Sequence, residues 1–152
     1  MIQKGRVTSN GHHIVRLEFS SVFEMVDFVQ VVSDHVSHSV GLDEDSAHWV
    51  SVAIRESVIN AIKHGNRQDE SKRVFLEFTL DTTELEVKVA DQGEGFDPDS
   101  VPDPVAEENL LKTYGRGIFF MRSFMDTVTY SFPPGGGTMV RMTKKLDGPL
   151  PS

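Results

Sequence analysis

The chain has 152 residues, a net charge of −8 and no cysteine. A chain of this length suits one domain, and without cysteine neither a disulfide nor a thiolate metal site can form. The acidic balance argues against direct binding of nucleic acid, which needs a basic face. No apolar run approaches the roughly 20 residues of a membrane span, and no signal peptide is evident. We therefore expect one cytoplasmic domain, 1–152 with its core at about 13–146, and neither a membrane nor a nucleic-acid partner.

The first predicted elements are a strand and a helix. Residues 13–19 alternate between apolar and polar side chains, which predicts a strand. Apolar residues then recur at helical spacing up to about Val40. Ser20 or Ser21 is expected to cap this helix, with Glu24 completing a capping box, and the next glycine along the chain is expected to end it.

A second helix is predicted from Asp43 or Asp45 to His64. Its apolar residues mark a buried side that includes Trp49. The pair Gly65–Asn66 follows, and a residue in the left-handed conformation at this place is a common helix ending.

The C-terminal half is predicted to be mostly strands. Residues 73–80 and 84–90 alternate and form a hairpin, and closing strands are expected at 128–132 and 137–146. Between them lies a loop rich in Gly, Pro and Asp at 91–116, followed by a helix up to Thr127. Helices early and strands late predict an α+β two-layer sandwich, with a mixed, mostly antiparallel sheet and helices on one face.

The helical stretch ESVINAIKHGN carries polar residues at helical spacing. Glu56 and Asn60 stand four residues apart, and Lys63 and His64 continue the same ridge. The carboxamide oxygen of Asn60 is a hard ligand of the kind that Mg²⁺ accepts, and a carboxylate one turn earlier can take a proton. An exposed face with a solubilising Glu/Lys pair explains the same pattern, so both interpretations stand at this point.

The stretch VADQGEGF places an acid at the end of a strand, before two glycines. Asp91 is acceptor-only when ionised, so it can accept a hydrogen bond from the exocyclic amine of an adenine. Gly93 and Gly95 allow a ligand to approach the backbone closely. A glycine-rich surface turn is the alternative, and the spacing of an EF-hand calcium loop is not met.

Two further stretches contain glycines beside a helix start and a strand start. In YGRGIFFMR, Gly115 and Gly117 precede a helix whose free N–H groups can hold an anion, and Arg116 adds a fork that matches phosphate oxygens. In GGGTMVRM, Thr138 opens the last strand with a hydroxyl that both donates and accepts. Taken singly, the first is also compatible with an ordinary helix start and the second with a hairpin.

The order and spacing of these four stretches together resemble the Bergerat-fold ATPases, the superfamily of gyrase, Hsp90, histidine kinases and MutL. Within it the sequence is most similar to the bacterial anti-sigma factor serine kinases. ESVINAIKHGN resembles the family's N-box, DQGEGFD and YGRGIFFMRSFMDTVTY its two glycine boxes, and GGGTMVRM its closing strand. The resemblance covers residues 17–146. One departure is Tyr114, which stands where many relatives have a glycine.

The resemblance implies roles for these residues. It implies ATP and Mg²⁺ as cofactors, with Asn60 holding the metal and Glu56 as the catalytic base. It implies an adenine site and a phosphate site, and a lid at 96–114. The residues implied at the adenine are Asp91, Gly93, Gly95 and Thr138, and those implied at the phosphates are Lys63, His64, Gly115, Arg116 and Gly117.

The same resemblance implies a protein serine/threonine kinase that phosphorylates an anti-anti-sigma (STAS) protein and sequesters a sigma factor. Relatives dimerise, so a homodimer is expected. An ATP-dependent partner switch without effective kinase activity is the alternative. The ATPase core of a histidine kinase is a third interpretation, less favoured because no helix with a phosphoacceptor histidine precedes the fold.

Overall fold

A computed structural model of the chain describes residues 2–7, 12–94, 106–115 and 117–146. In chain order the described elements are β1 (Ile2–Val7), β2 (His13–Ser20), α1 (Glu24–Ser39), α2 (Glu44–Asn60), a π-helical turn (Ala61–Gly65), β3 (Arg73–Leu80), β4 (Glu84–Asp91), α3 (Glu107–Tyr114), α4 (Gly117–Phe124), β5 (Thr127–Ser131) and β6 (Met139–Lys145).

The strands form one sheet in the order β1-β2-β3-β4-β6-β5. Each neighbouring pair in it is antiparallel. Because side chains alternate along a strand, β3 and β4 each send every second residue into the core. The buried members of these two strands are Val74, Leu76, Phe78, Leu85, Val87 and Val89.

Helices α1, α2 and α4 pack together over this apolar face. Their contribution to the core is aliphatic and includes Val29, Val50, Ile54 and Ile118, each of them fully buried. The predicted α+β two-layer sandwich with helices on one face is therefore confirmed. The opposite face of the sheet is not covered by these helices and carries charged side chains, among them the ion pair between Arg16 Nε and Glu77 Oε2 at 2.7 Å.

The predicted helix start at Ser21 is wrong in detail. The N-cap of α1 is Phe23, which makes no capping bond through its side chain. The Ser21 hydroxyl instead donates to the Lys72 carbonyl at 2.8 Å and accepts from the Asn66 carboxamide at 2.5 Å. The other end of α1 is as predicted, since Gly41 follows it with a φ of +84°.

Helix α2 begins as predicted, with the Asp43 carboxylate accepting from the Ser46 N–H at 2.7 Å. Two other details of the prediction are wrong. Trp49 is 43% exposed, because its ring lies on the surface and stacks on Phe124. The left-handed residues after the helix are Arg67 and Gln68, not Gly65 or Asn66.

Two described elements were not predicted. Strand β1 pairs with the outer edge of β2, and helix α3 lies within the segment expected to be a loop. Within the described ranges, no helix combines the length and the apolar character that a membrane crossing requires.

Candidate functional site

The Asp91 carboxylate sits at the end of β4 in a socket of backbone groups. Its Oδ1 accepts from the N–H of Gly93 at 2.9 Å and from the N–H of Thr138 at 3.1 Å. A Cβ on Gly65 would overlap the carboxylate itself, and a Cβ on Gly137 would overlap the Asp91 carbonyl. Residues at these two positions must therefore be glycine for Asp91 to keep its place.

Burial raises the pKa of Asp91, and the N–H donors of Gly93 and Thr138 act against that rise. A carboxylate offers about four lone-pair sites over its two oxygens. The two backbone bonds use part of that capacity, so the group can still accept from a ligand. The socket thus presents a fixed hydrogen-bond acceptor with a defined direction.

The chain leaves α2 through a π-helical turn that begins directly after Asn60. In this turn the N–H of Asn66 bonds to the Ala61 carbonyl at 2.8 Å, which is the five-residue spacing of a π-helix. Such turns are rare and often occur at functional sites. Here the turn brings Gly65 against Asp91, and so it joins the helix carrying Asn60 to the strand carrying the acid.

Asn60 is 5% exposed, and its Nδ2 finds no hydrogen-bond partner within the described part of the chain. A buried polar atom without a partner costs roughly 1–3 kcal/mol. One end of the buried carboxamide is therefore unpaired. A residue kept in this state is suited to binding a group that enters the cleft.

Asn60, Asp91 and Thr138 line one cleft, as the sequence interpretation required. The cleft lies between α2, the π-helical turn and the strands β4, β5 and β6. Its remaining lining consists of Ser57, Ala61, Val89, Tyr114, Tyr130 and Val140. The free volume is about 10 Å³, which is close to the minimum for one water molecule.

Two stacked tyrosines lie among the residues that line this cleft. Tyr114, at the end of α3, stacks on Tyr130 of β5 with ring centroids 5.0 Å apart and an angle of 23°. Burial raises the pKa of Tyr114 to about 12, and the nearby Thr138 side chain acts against that rise. The aromatic pair forms one wall of the cleft beside the polar residues.

Glu56 lies one helical turn before Asn60 and beside the start of α4. A Cβ on Gly117 would overlap its carboxylate, so the two elements meet closely here. Glu56 is half-buried, and burial raises its pKa, while the charges of Arg55 and Lys63 act against the rise. A carboxylate with a raised pKa is a better proton acceptor near neutral pH.

The two cationic candidates differ in position. His64 meets Tyr114 edge to face, with centroids 5.9 Å apart. Burial lowers the pKa of His64, and the charge of Lys63 lowers it further, which favours the neutral imidazole. The Lys63 side chain is exposed. Gly115 is exposed at the end of α3, while Gly95 and Arg116 lie outside the described residues.

Several residues of the site were missed by sequence reasoning. Gly65 was assigned to a helix ending and Gly137 to a hairpin before the last strand, although both lie against Asp91. Tyr130 was counted only as part of a strand, and Tyr114 only as a departure from a motif. Asn66 was assigned to a helix ending, yet its carboxamide ties three segments together. It donates to the Arg73 carbonyl at 2.9 Å and accepts from the Gln92 N–H at 2.8 Å, in addition to the bond with Ser21.

Comparison with known proteins agrees with this geometry. The family model described as "Histidine kinase-like ATPase domain" matches residues 22–144. The anti-sigma F factor of Oceanobacillus iheyensis is 30% identical over 132 residues, which cover 86% of this chain and 90% of that protein. The serine-protein kinase RsbW of Bacillus subtilis is 27% identical over 145 residues, covering 91% and 89%.

Solved structures share the fold. The structure of the RsbU and RsbW domains of Rv1364c from Mycobacterium tuberculosis matches with a TM-score of 0.62 at 14% identity, over 91% of this chain and 34% of that one. The mycobacterial sensor histidine kinase MprB matches with a TM-score of 0.53 at 16% identity, over 90% and 99%. At these identities the likeness concerns the fold alone.

The chain belongs to the family of histidine kinase-like ATPase domains. Within that family its relatives bear the names anti-sigma F factor and serine-protein kinase RsbW. The resemblance to anti-sigma factor serine kinases that the four motifs indicated is thereby confirmed.

Proposed function

We propose that this chain is an ATP-binding protein serine/threonine kinase that acts as an anti-sigma factor, with an anti-anti-sigma protein of the STAS type as its substrate. The observation that carries the proposal is the meeting of Asn60, Asp91 and Thr138 in one cleft. Three separate parts of the sequence supply these groups, so a motif match alone does not require that they meet.

The adenine end of the ligand is proposed to lie at Asp91. The exocyclic amine of adenine is a donor, and the fixed carboxylate is an acceptor with capacity left. Thr138 adds a hydroxyl next to that acceptor, and its own N–H already holds the carboxylate in place. Gly93 lies beside the Asp91 carboxylate. Gly95 is proposed to extend the surface on which the adenine lies.

The phosphate end is proposed to lie between α2 and the start of α4. The first N–H groups of a helix have no partner within it and favour an anion. Gly117 begins α4 beside Glu56. Gly115, Arg116, Lys63 and His64 are proposed to surround the same phosphates.

Mg²⁺ is proposed to be held by Asn60. Its buried carboxamide lines the cleft, and the carboxamide oxygen is the kind of hard ligand that Mg²⁺ takes, usually with waters and substrate phosphates as the others. No cluster of three or more His, Cys, Asp or Glu residues suited to a metal occurs in the described ranges, which agrees with a site completed by a nucleotide. When bound, the ion would neutralise charge on the phosphates.

Glu56 is proposed to take the proton from the serine or threonine hydroxyl that attacks the γ-phosphate. The oxygen of that hydroxyl forms the new bond to phosphorus, and the bond to ADP breaks. Burial raises the pKa of Glu56, which strengthens it as a proton acceptor. Its carboxylate also lies beside the start of α4. General-base catalysis of this kind contributes about 10²–10⁴-fold to the rate.

The partners proposed for this kinase are a sigma factor, a STAS protein and a second copy of the chain. The proposal places the protein in the cytoplasm as one domain with its core at about 13–146. Direct binding of nucleic acid is not part of it, because the net charge is −8.

Transfer of labelled phosphate tests the proposal. The protein is incubated with γ-labelled ATP, Mg²⁺ and the STAS-domain proteins of the same genome. Wild type is expected to label one of them, and Glu56→Gln is expected to transfer at least about 100-fold more slowly while its affinity for ATP is kept. Glu70→Gln, at an exposed position, is the matched control and should transfer at the wild-type rate.

Two results would contradict parts of this proposal. Transfer that survives in Glu56→Gln would remove the proposed base. ATP binding by wild type without transfer to any STAS protein would favour the partner switch without kinase activity. Because Glu56→Gln also removes a buried charge, it should unfold at a temperature at or above that of wild type, which separates loss of catalysis from loss of folding.

A further inference from the structure

Tyr114 touches several of the residues proposed to bind ATP. It lines the same cleft as Asp91 and Thr138, and its ring lies against that of His64, with centroids 5.9 Å apart. The negative charge of Asp91 contributes to the raised pKa of the tyrosine. The ring therefore lies at the proposed adenine end of the site.

The ring also lies in the cleft where the purine is proposed to bind. Ligand sites in proteins usually measure about 300–1,000 Å³, whereas this cleft has about 10 Å³ free. Tyr114 is 8% exposed and stacks nearly parallel on Tyr130. The tyrosine is a flat aromatic ring with a polar group near Thr138. In these features it resembles an adenine bound in the same cleft.

The backbone beside Tyr114 is suited to a change of direction. Gly115 follows directly and ends α3 with a φ of +69° and a ψ of −154°. A side chain is disfavoured at this φ, and no atom lies within 4 Å of the place where a Cβ would stand. Rotation about this residue can move α3 without a collision at the glycine itself.

We propose that Tyr114 is an internal competitor for the adenine pocket, so that ATP binds only after the ring has left its place between Tyr130 and Thr138. The inference rests on the proposed function, since it takes Asp91 and Thr138 as the adenine contacts. The protein would regulate its own affinity for nucleotide through the equilibrium between the ring in the pocket and the ring outside it.

The quantitative consequence follows from mass action. If only a fraction of molecules has the ring outside, the measured Kd is the intrinsic Kd divided by that fraction. Removing the ring should therefore tighten binding and speed association. With the ring outside in about one molecule in ten, both effects would be about tenfold.

The experiment compares Tyr114→Ser, Tyr114→Phe and Phe120→Ser with wild type. Phe120 lies on α4 and is exposed, so its variant controls for the loss of an aromatic ring outside the cleft. Calorimetry gives the Kd of MgATP, adenosine and inorganic tripolyphosphate, and stopped-flow measurement gives the association rate of MgATP.

Tyr114→Ser is expected to bind MgATP and adenosine about tenfold more tightly, with tripolyphosphate unchanged. Tyr114→Phe keeps the ring but loses the hydroxyl beside Thr138, so it should show a smaller gain in affinity for the same two ligands. Phe120→Ser should behave as wild type. If Tyr114→Ser does not fold, as checked by circular dichroism, the gain in Tyr114→Phe decides the matter.

Other outcomes would overturn the proposal. Weaker binding of adenosine in both Tyr114 variants would make the ring a contact of the nucleotide. An equal gain for tripolyphosphate would place the competition at the phosphates instead. Absence of ATP binding in wild type and in every variant would instead reject the proposed function, so the two failures are distinguishable.

Discussion

The two faces of the sheet carry concavities of opposite character. The open face has the larger one, about 390 Å³, lined by side chains such as Arg16, Phe75, Lys88 and Met139. The helix-covered face has the cleft of about 10 Å³ around Asn60 and Asp91. Size alone would assign the ligand to the open face.

The polar groups point to the opposite assignment. On the open face, charged side chains satisfy one another, as Arg16 does with Glu77 at 2.7 Å and Lys88 with Glu86 at 3.4 Å. In the cleft, one end of the Asn60 carboxamide is unpaired and the Asp91 carboxylate has acceptor capacity left. These two groups line one cleft together with the Thr138 side chain, and such a convergence of buried polar groups indicates a binding site.

The largest expected effect tests whether ATP binds on the helix-covered face of the sheet, at Asp91. Asp91→Asn replaces the acceptor by a group whose amide can face the adenine amine, donor to donor. We expect ATP to bind at least about 100-fold more weakly, because a buried donor left unpaired costs roughly 1–3 kcal/mol and a second group is misdirected. Calorimetry with MgATP measures this. Glu77→Gln makes the same charge change on the open face and should bind as wild type; a larger loss there would transfer the site to that face.

A second substitution tests whether Asn60 binds the Mg²⁺ ion or contacts the nucleotide itself. Asn60→Ala should lose most of the Mg²⁺-dependent part of ATP affinity, about tenfold or more for one metal ligand, and little of the affinity for ATP measured in EDTA. Gln30→Ala, which removes an amide from α1, is the matched control. Equal losses of affinity with and without Mg²⁺ would contradict the metal role and leave Asn60 as a contact of the nucleotide.

The smallest expected effect concerns the edge of the cleft. The pKa of His64 is lowered by burial in the folded state, so the unfolded chain binds a proton more readily. Stability contributed by the neutral ring is therefore lost as the pH falls below the ordinary value of 6.5. Urea unfolding at pH 7.5 and pH 5.5, both about one unit from that value, should show a smaller difference in His64→Gln than in wild type. His35→Gln, exposed on α1, is the control, and an unchanged difference in His64→Gln would contradict the shift.

The sequence predicted the fold where local patterns and tertiary packing agree. Strands β3 and β4 alternate cleanly because one face is buried, and Asp43 caps α2 with its own side chain. The prediction from sequence was wrong where contacts between residues distant in the chain determine the local structure. Ser21 has the spacing of a capping residue, but Asn66 and Lys72 offer its hydroxyl better partners in the folded chain.

The same reasoning explains which parts of the site could be predicted. Asn60, Asp91 and Thr138 stand in motifs with distinctive neighbours, and the fold brings them together. Tyr130 belongs to an ordinary alternating strand, so its sequence indicates burial but not a neighbour across the cleft. Gly65 looks like a helix ending, and only the π-helical turn brings it against Asp91.

The glycines around Asp91 have a consequence for inhibitor design. The backbone packs closely around Asp91 at Gly65, Gly93 and Gly137. A compound bound at this acid therefore gains nothing from a substituent directed towards the end of β4. Tyr114 lines the other side of the same cleft. A scaffold that reaches into the space this ring would vacate gains contacts there, and selectivity should be sought along that direction.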